Sequence, residues 1–178
     1  MKKILSLIVI AAAAWRVQAQ EAGFQIALLP EFAIQDQDTL IHGATWNIIC
    51  GENPQEGVTL GFYNIITGDS RGFSWGAVNY SSDTYTGVHW GLLNWTDEKF
   101  TGWQSGLINY TGSQFTGFQW GAINVAHSCR GFQLGVFNYA HKLNGLQIGA
   151  LNIVAENHWF TAVPRQWTAA WPVVNWSF

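Results

Sequence analysis

The motif Gly-x-x-x-Gly-x-x-Asn occurs seven times in this chain, and no other feature constrains the fold as strongly. Its first glycines are Gly57, Gly72, Gly87, Gly102, Gly117, Gly131 and Gly145. The step between copies is 15 residues four times and then 14 residues twice. A fixed period this short means that one small structural unit is used repeatedly. The fold must therefore place many copies of one unit beside each other.

We predict a structural role for the two glycines and the asparagine of every copy. These residues are Gly57, Gly61, Asn64; Gly72, Gly76, Asn79; Gly87, Gly91, Asn94; Gly102, Gly106, Asn109; Gly117, Gly121, Asn124; Gly131, Gly135, Asn138; and Gly145, Gly149, Asn152. The first glycine of a copy is counted below as position 0, the second as position 4 and the asparagine as position 7.

Each copy has the pattern of a strand followed by a turn. Position 1 is apolar, position 2 is polar, and position 3 is Trp, Leu or Ile in all copies except that of Ser105. This alternation has the period of two that is typical of strands. Short polar stretches such as residues 67–71 and 81–84 separate the copies and hold almost all the charge. They predict turns.

Weaker copies of the unit begin at Gly23 and Gly43, and Val173–Trp176 matches its closing half. With the seven regular copies they give about ten strands. We therefore predict an all-β chain, with residues 20–178 forming one domain.

The first nineteen residues predict a signal peptide. Lys2 and Lys3 precede an apolar run, and Val17-Gln18-Ala19 offers small residues for cleavage. Without Lys2, Lys3 and Arg16, five basic residues remain against eleven acidic ones, a net charge of about −6. Export is expected, and nucleic acid is not an expected partner because a basic surface is lacking.

Two architectures fit an exported chain of this kind. The first is a transmembrane antiparallel β-barrel of about ten strands, built from the 14–15-residue repeats and inserted in a bacterial outer membrane. Aromatic residues recur at both strand ends, as in aromatic girdles. They are Tyr80, Trp95, Tyr110 and Tyr139 after the asparagine, and Tyr85, Phe100 and Phe115 before the first glycine. A bulge near the second glycine would keep the strand in phase.

The alternative is a parallel β-solenoid with 15-residue coils. Stacking identical coils places each Asn over the last, which explains the uniform step directly. The C-terminal residues favour the barrel, because Val174, Trp176 and Phe178 alternate on one face and resemble the insertion signal of outer-membrane barrel proteins. We take the barrel as the main prediction.

The repeat, seen most regularly in residues 145–152, resembles that of a family of bacterial surface proteins with tandem Gly-Leu-Gln-x-Gly-Leu-x-Asn copies. The resemblance covers most of the chain after residue 19. It implies a location at the outer membrane or cell surface, and it implies neither an activity nor roles for particular residues.

The sequence gives no sign of catalysis. Its five histidines are scattered, the closest approach to a metal motif is His127 two residues before Cys129, and no phosphate loop or Cys-x-x-Cys motif is present. We expect no catalytic, cofactor or metal site. His89 takes the place of a Gln, but no partner for it can be identified. Cys50 and Cys129 are too far apart in either architecture, so two free thiols are expected.

The polar residues at position 2 have two interpretations. Gln104, Gln119, Gln133 and Gln147 line a narrow lumen, or they only satisfy one another. The longest connections offer a better candidate surface, since in a barrel they would flank the closing seam. The candidate interaction residues are Phe32, Asp36, Asp38, His158, Trp159, Phe160, Arg165 and Trp167.

The predicted function is that of a Trp-rich outer-membrane surface-repeat barrel with a structural or interaction role and no catalysis. Its expected partners are outer-membrane lipid, the barrel insertion machinery and an unidentified surface ligand. The alternative is a secreted or surface-attached solenoid adhesin, followed by a narrow pore and a lipid-modifying barrel enzyme.

Overall fold

The fold is a single sheet wound into coils. The structure is a computed structural model that describes residues 20–157 and 170–178. The described strands are β1 (Glu21–Leu29), β2 (Phe32–Ala33), β3 (Leu40–Asn53), β4 (Glu56–Ile66), β5 (Ser70–Ser81), β6 (Tyr85–Thr96), β7 (Lys99–Ser105), β8 (Ile108–Trp120), β9 (Ile123–Leu134), β10 (Phe137–Glu156) and β11 (Ala170–Ser177).

The strands follow one another in the sheet in the order β11-β10-β9-β8-β7-β6-β5-β4-β3-β1-β2. From β1 to β10 the chain's successive coils pair in parallel, and only β1–β2 and β10–β11 are antiparallel. Parallel neighbours joined by a short turn require the chain to travel around a full coil before it pairs again. The chain is therefore a parallel β-solenoid.

The repeat sets the register of the stack. Gly57 pairs with Gly72, Gly72 with Gly87, and Asn64 with Asn79, and the same alignment continues through Asn138. The step changes from 15 to 14 residues at a register shift between Thr111 and Gln114. The lost residue therefore comes from a connection, and the walls of the coil are unchanged.

The main prediction of an antiparallel transmembrane barrel is wrong, and the alternative solenoid is confirmed. Neighbouring units pair in parallel, and the two end strands of the described sheet, β2 and β11, are not neighbours. The alternation of apolar and polar residues is the same for both architectures, because it depends only on which face of a strand is enclosed. The uniform step between copies was the signal that indicated a solenoid.

The predicted bulge at the second glycine is a corner instead. On both sides of Gly61 and Gly76 the pairing of β4 with β5 keeps the same register. Positions 2 and 7 are buried although they are five residues apart, and large side chains at positions 3 and 5 are exposed, so the strand turns at the second glycine. Each coil therefore has two arms, with positions 0–3 on one arm and positions 6–9 on the other. We call the corner around position 4 the corner edge, and the connections after position 9 the turn edge.

The interior lies between the two arms. Positions −2, 2, 7 and 9 point inward, and the apolar part of the core collects beside the turn edge in Ile66, Tyr85, Phe100, Phe115, Ala126, Cys129, Ala140, Leu143 and Val154. Tyr85, Phe100 and Phe115 stack with ring centroids 5.6 and 5.9 Å apart. These rings were predicted to form an outer girdle, but they are fully buried. Stacking of coils turns a recurring aromatic position into a continuous row of rings.

Candidate binding surface and the polar core beneath it

A continuous ladder of asparagine side chains runs through the core. Each Nδ2 donates to the Oδ1 of the next coil's asparagine, from Asn47 to Asn152, over 2.7–2.9 Å. From Asn64 to Asn138 the same Nδ2 also donates to the backbone carbonyl at position 3 of the next coil. The ladder thus satisfies the buried amides. Its bonds to position 3 also join the arm that carries the asparagines to the other arm, next to the corner edge.

A second ladder is made by the glutamines at position 2. Gln119 donates to Gln104, Gln133 to Gln119, and Gln147 to Gln133, over 2.7–2.8 Å. These amides donate toward the N-terminal end of the stack, whereas the asparagine amides donate toward its C-terminal end. The two rows of amide dipoles therefore oppose each other. Of the two interpretations given above, the structure supports mutual satisfaction of the glutamines.

The glycines at position 4 form the floor of a groove along the corner edge. A Cβ on Gly91 would collide with the carbonyl oxygen of Gly76 and lie 2.8 Å from Asn79 Nδ2. The equivalent atoms would crowd Cβ groups on Gly106, Gly121 and Gly135. Only glycine leaves room for the asparagine ladder to approach the wall this closely. The outer surface at the corner is consequently indented.

Two rows of exposed apolar side chains flank this groove. The position 3 row contains Trp46, Leu60, Trp75, Trp90, Trp120, Leu134 and Ile148, and the position 5 row contains Phe62, Leu92, Leu107 and Val136. The four Trp are 54–60% exposed, and the four residues of the position 5 row are 58–65% exposed. We call these two rows with their glycine floor the apolar edge. It contains a groove of about 640 Å³ that extends from Trp46 to Leu92.

The groove continues along the stack. A second depression of about 440 Å³ begins at Trp90 and reaches Ala122, where Ser105 replaces the usual Trp. Neither depression is lined by a charged residue. Exposed apolar patches of this extent are typical of interaction surfaces.

Between Gly57 and Glu156, charge is confined to the turn edge. From Gly57 to Glu156 the charged residues are Asp69, Arg71, Asp83, Asp97, Glu98, Lys99, Arg130, Lys142 and Glu156, and all of them follow position 9 of a copy. The cross-section of the solenoid is therefore amphipathic, with an apolar edge and a charged edge separated by the two arms.

His89 is enclosed and offers no entry to a substrate. It is 0% exposed, its Nε2 lies 3.5 Å from Ser81 Oγ, and its ring packs against Tyr85 at 4.1 Å and Phe100 at 4.9 Å. Burial lowers the pKa of His89 to about 3, so the ring is neutral at neutral pH. His89 therefore takes a place in the row of polar side chains at position 2 as a packed, neutral ring.

His127 lies on the outside of the coil and Cys129 on the inside, although they are two residues apart in the sequence. His127 is exposed and stacks on His141 with a centroid distance of 4.8 Å, whereas Cys129 is buried. Burial raises the pKa of the Cys129 thiol to about 12, which removes its reactivity at neutral pH. Cys50 and Cys129 are both free thiols. Among the residues that the structure describes, no cluster of His, Cys, Asp and Glu could hold a metal ion.

The predicted interaction cluster is only partly described. Phe32 in β2 and Asp36 and Asp38 after it are exposed in the segment between β1 and β3, which we call the N-terminal loop and which forms a cleft of about 440 Å³. His158, Trp159, Phe160, Arg165 and Trp167 lie outside the described residues, as does the predicted signal peptide. The strands β10 and β11, which flank residues 158–169, are at the opposite end of the sheet from β2. The barrel seam that was expected to join the two loops therefore does not exist.

The strand predicted as a membrane-insertion signal lies at one end of the described sheet. In β11, Val174 pairs with Ile148 and Trp176 with Leu146 in antiparallel orientation, and Phe178 is exposed at the end. Such a strand covers the hydrogen-bonding edge of the last coil, which would otherwise be open to another chain. Val173 has a φ of 70° opposite Gly149, where the cap must follow the corner.

No family model, curated protein or solved structure matches this chain. The resemblance to surface-repeat proteins stays a prediction. None of the described residues forms a helix long and apolar enough to cross a membrane.

Sequence reasoning identified every residue type of the apolar edge but did not recognise the edge. Positions 3 and 5 straddle the second glycine, and both are apolar in most copies. The signal of a corner lay in the polar positions: positions 2 and 7 are five residues apart, so a straight strand would place them on opposite faces, and both can point inward only if the strand turns between them.

Proposed function

We propose that this protein is an exported, surface-attached β-solenoid that acts by binding, in the manner of an adhesin, and has no catalytic activity of its own. The observation that carries the proposal is the apolar edge, where two rows of large side chains lie exposed on a rigid frame. Patches of this size on a soluble surface are unfavourable unless a partner covers them.

The interior supports a role in binding. The inward amides of the Asn and Gln rows bond to one another, and the buried rings fill the remaining space. Such a core is a scaffold that holds surface side chains at a fixed spacing. A narrow pore has no support, because the space between the two arms is occupied by packed side chains.

Two parts of the surface have different roles in this function. The apolar edge provides attachment, and the charged turn edge with the N-terminal loop faces a binding partner. Phe32 is 69% exposed in the same loop as two acidic side chains, and an aromatic anchor with a polar rim is a combination that binding patches favour. Asp36 and Asp38 supply that rim.

The test uses bacterial cells that express the full chain. We expect the protein in the envelope fraction, cut by protease added to intact cells, and increased adherence of these cells to polystyrene and to each other. A Phe32→Ser, Asp36→Ser, Asp38→Ser variant should keep its location but lose most of the added adherence. Protein found only in the cytoplasm, or adherence equal to that of cells without it, would refute the proposal.

A further inference from the structure

The apolar edge and the charged turn edge give the solenoid the cross-section of an amphipathic element. The groove rows contain no Asp, Glu, Lys or Arg, whereas the nine charged residues between Gly57 and Glu156 lie on the other edge. An interfacial helix lies in a membrane surface because of the same segregation of apolar and charged faces. The solenoid carries that segregation from Gly57 to Glu156.

Aromatic residues with polar groups lie between the two edges. At position 8, Tyr80 Oη donates to Asp97 Oδ2 and Trp95 Nε1 donates to Asp97 Oδ1, both over 2.6 Å. Trp95 also stacks on Tyr110 with a centroid distance of 4.0 Å. Position 8 is about 10 Å along the strand from position 5. Rings whose polar atoms face the charged side at this depth match the boundary between acyl chains and water.

The shape of the edge argues against a second copy of the chain as its partner. From Gly61 to Gly149 the groove crosses six coil steps, or about 29 Å at ~4.8 Å a step, and two facing arms make it about 10 Å wide. Two rigid edges this narrow can meet only along their crests. A bilayer can deform around the convex edge and cover both of its rows.

We propose that the apolar edge inserts into the surface of a lipid bilayer, with the long axis of the solenoid parallel to the membrane and the turn edge in water. This inference rests on the proposed surface attachment and names what the chain attaches to. Because the inserting rows carry no charge and the chain after residue 19 has a net charge of about −6, apolar burial drives the insertion. Anionic headgroups are not required.

The test is flotation of the protein, as recovered from cells expressing the full chain, with phosphatidylcholine vesicles. We expect the protein to float with the vesicles at low and at high salt. Replacing Trp75, Trp90 and Trp120 with Ser should weaken partitioning at least ~100-fold, because three large apolar side chains are lost from the inserted edge. A matched Glu98→Ser, Lys99→Ser variant on the turn edge, with no change in net charge, should float like the wild type.

A second measurement reports orientation without altering the tryptophans. In a Cys50→Ser background, an environment-sensitive label at Leu107→Cys should shift to the blue on vesicle addition, and the same label at Asp83→Cys should not. Equal flotation of the triple Trp variant, or equal shifts at both labels, would overturn the proposal. A protein that does not float but sediments as a dimer through these Trp would also overturn it. Either result would leave the adherence assay, and with it the proposed binding function, to stand or fall separately.

Discussion

Substitution of Asn109 tests whether the asparagine ladder stabilises the fold. Asn109 Oδ1 accepts from Asn94 Nδ2 over 2.8 Å, and its Nδ2 donates to Asn124 Oδ1 over 2.8 Å and to the Trp120 carbonyl over 3.0 Å. Asn109→Ala removes these three bonds. The side chain is 0% exposed, so water cannot replace them.

The expected cost follows from the partners that remain. Three hydrogen bonds at about 1 kcal/mol each are lost, and Asn124 Oδ1 is left buried without its donor, which costs about 1–2 kcal/mol more. Asn94 Nδ2 still donates to the Ser105 carbonyl, and the Trp120 carbonyl still accepts from Gly106 N. We therefore expect a loss of about 4–5 kcal/mol in the free energy of unfolding, a large part of the stability of a domain.

The assay is denaturant unfolding followed by circular dichroism, with hydrogen exchange of the amides in β6 to β9. The control is Asn144→Ala, since Asn144 is exposed on β10 and should change the free energy by less than about 0.5 kcal/mol. Exchange should increase most in the coils that contact Asn109, because coils in a solenoid are stabilised mainly by their neighbours. A folded Asn109→Ala variant within 1 kcal/mol of the wild type would refute the reasoning.

Three further predictions concern the core and the cap. The native pKa of His89 is about 3, against an ordinary value of 6.5, so between these two pH values only the unfolded chain binds a proton at this residue. The free energy of unfolding should therefore fall by about 1.4 kcal/mol per pH unit as the pH drops from 6.5 to 3. In pH-dependent denaturant unfolding, His89→Gln should remove that slope, while the exposed His127→Gln should retain it. In the same assay, Gly102→Ala should lower the free energy of unfolding by about 3 kcal/mol or more, because φ is 132° and the new Cβ would collide with the Gly87 carbonyl. The control Gly23→Ala has open space around its Cβ and should leave that free energy unchanged. Val173→Gly should raise the thermal midpoint, since it relieves a β-branched residue at a φ of 70° by about 1 kcal/mol; an unchanged or lower midpoint would contradict this.

Much of the candidate surface was present in the sequence, but its arrangement was not. The Trp, Leu and Phe residues around the second glycine indicated an apolar exterior over a polar interior, which is also the pattern of a lipid-facing barrel. The interpretation of Tyr85, Phe100 and Phe115 as an outer girdle was wrong. These rings lie two residues before the first glycine, and they point inward only because the chain turns back at the turn edge and closes the coil. The cap role of β11 was missed for a similar reason, since an alternating aromatic strand fits a barrel wall and a covering strand equally well.

The sequence by itself determined the unit: a strand with apolar and polar faces, two glycines and an asparagine at fixed places, and a charged turn. These features depend on contacts within about 15 residues, which composition and spacing can report. The tertiary structure alone decided that unit i pairs in parallel with unit i+1. That pairing places Asn109 against Asn124 and Gln119 against Gln104, and it separates the apolar edge from the charged edge. Local alternation is the same for parallel and antiparallel neighbours, so only the stacking of complete coils distinguishes a solenoid from a barrel.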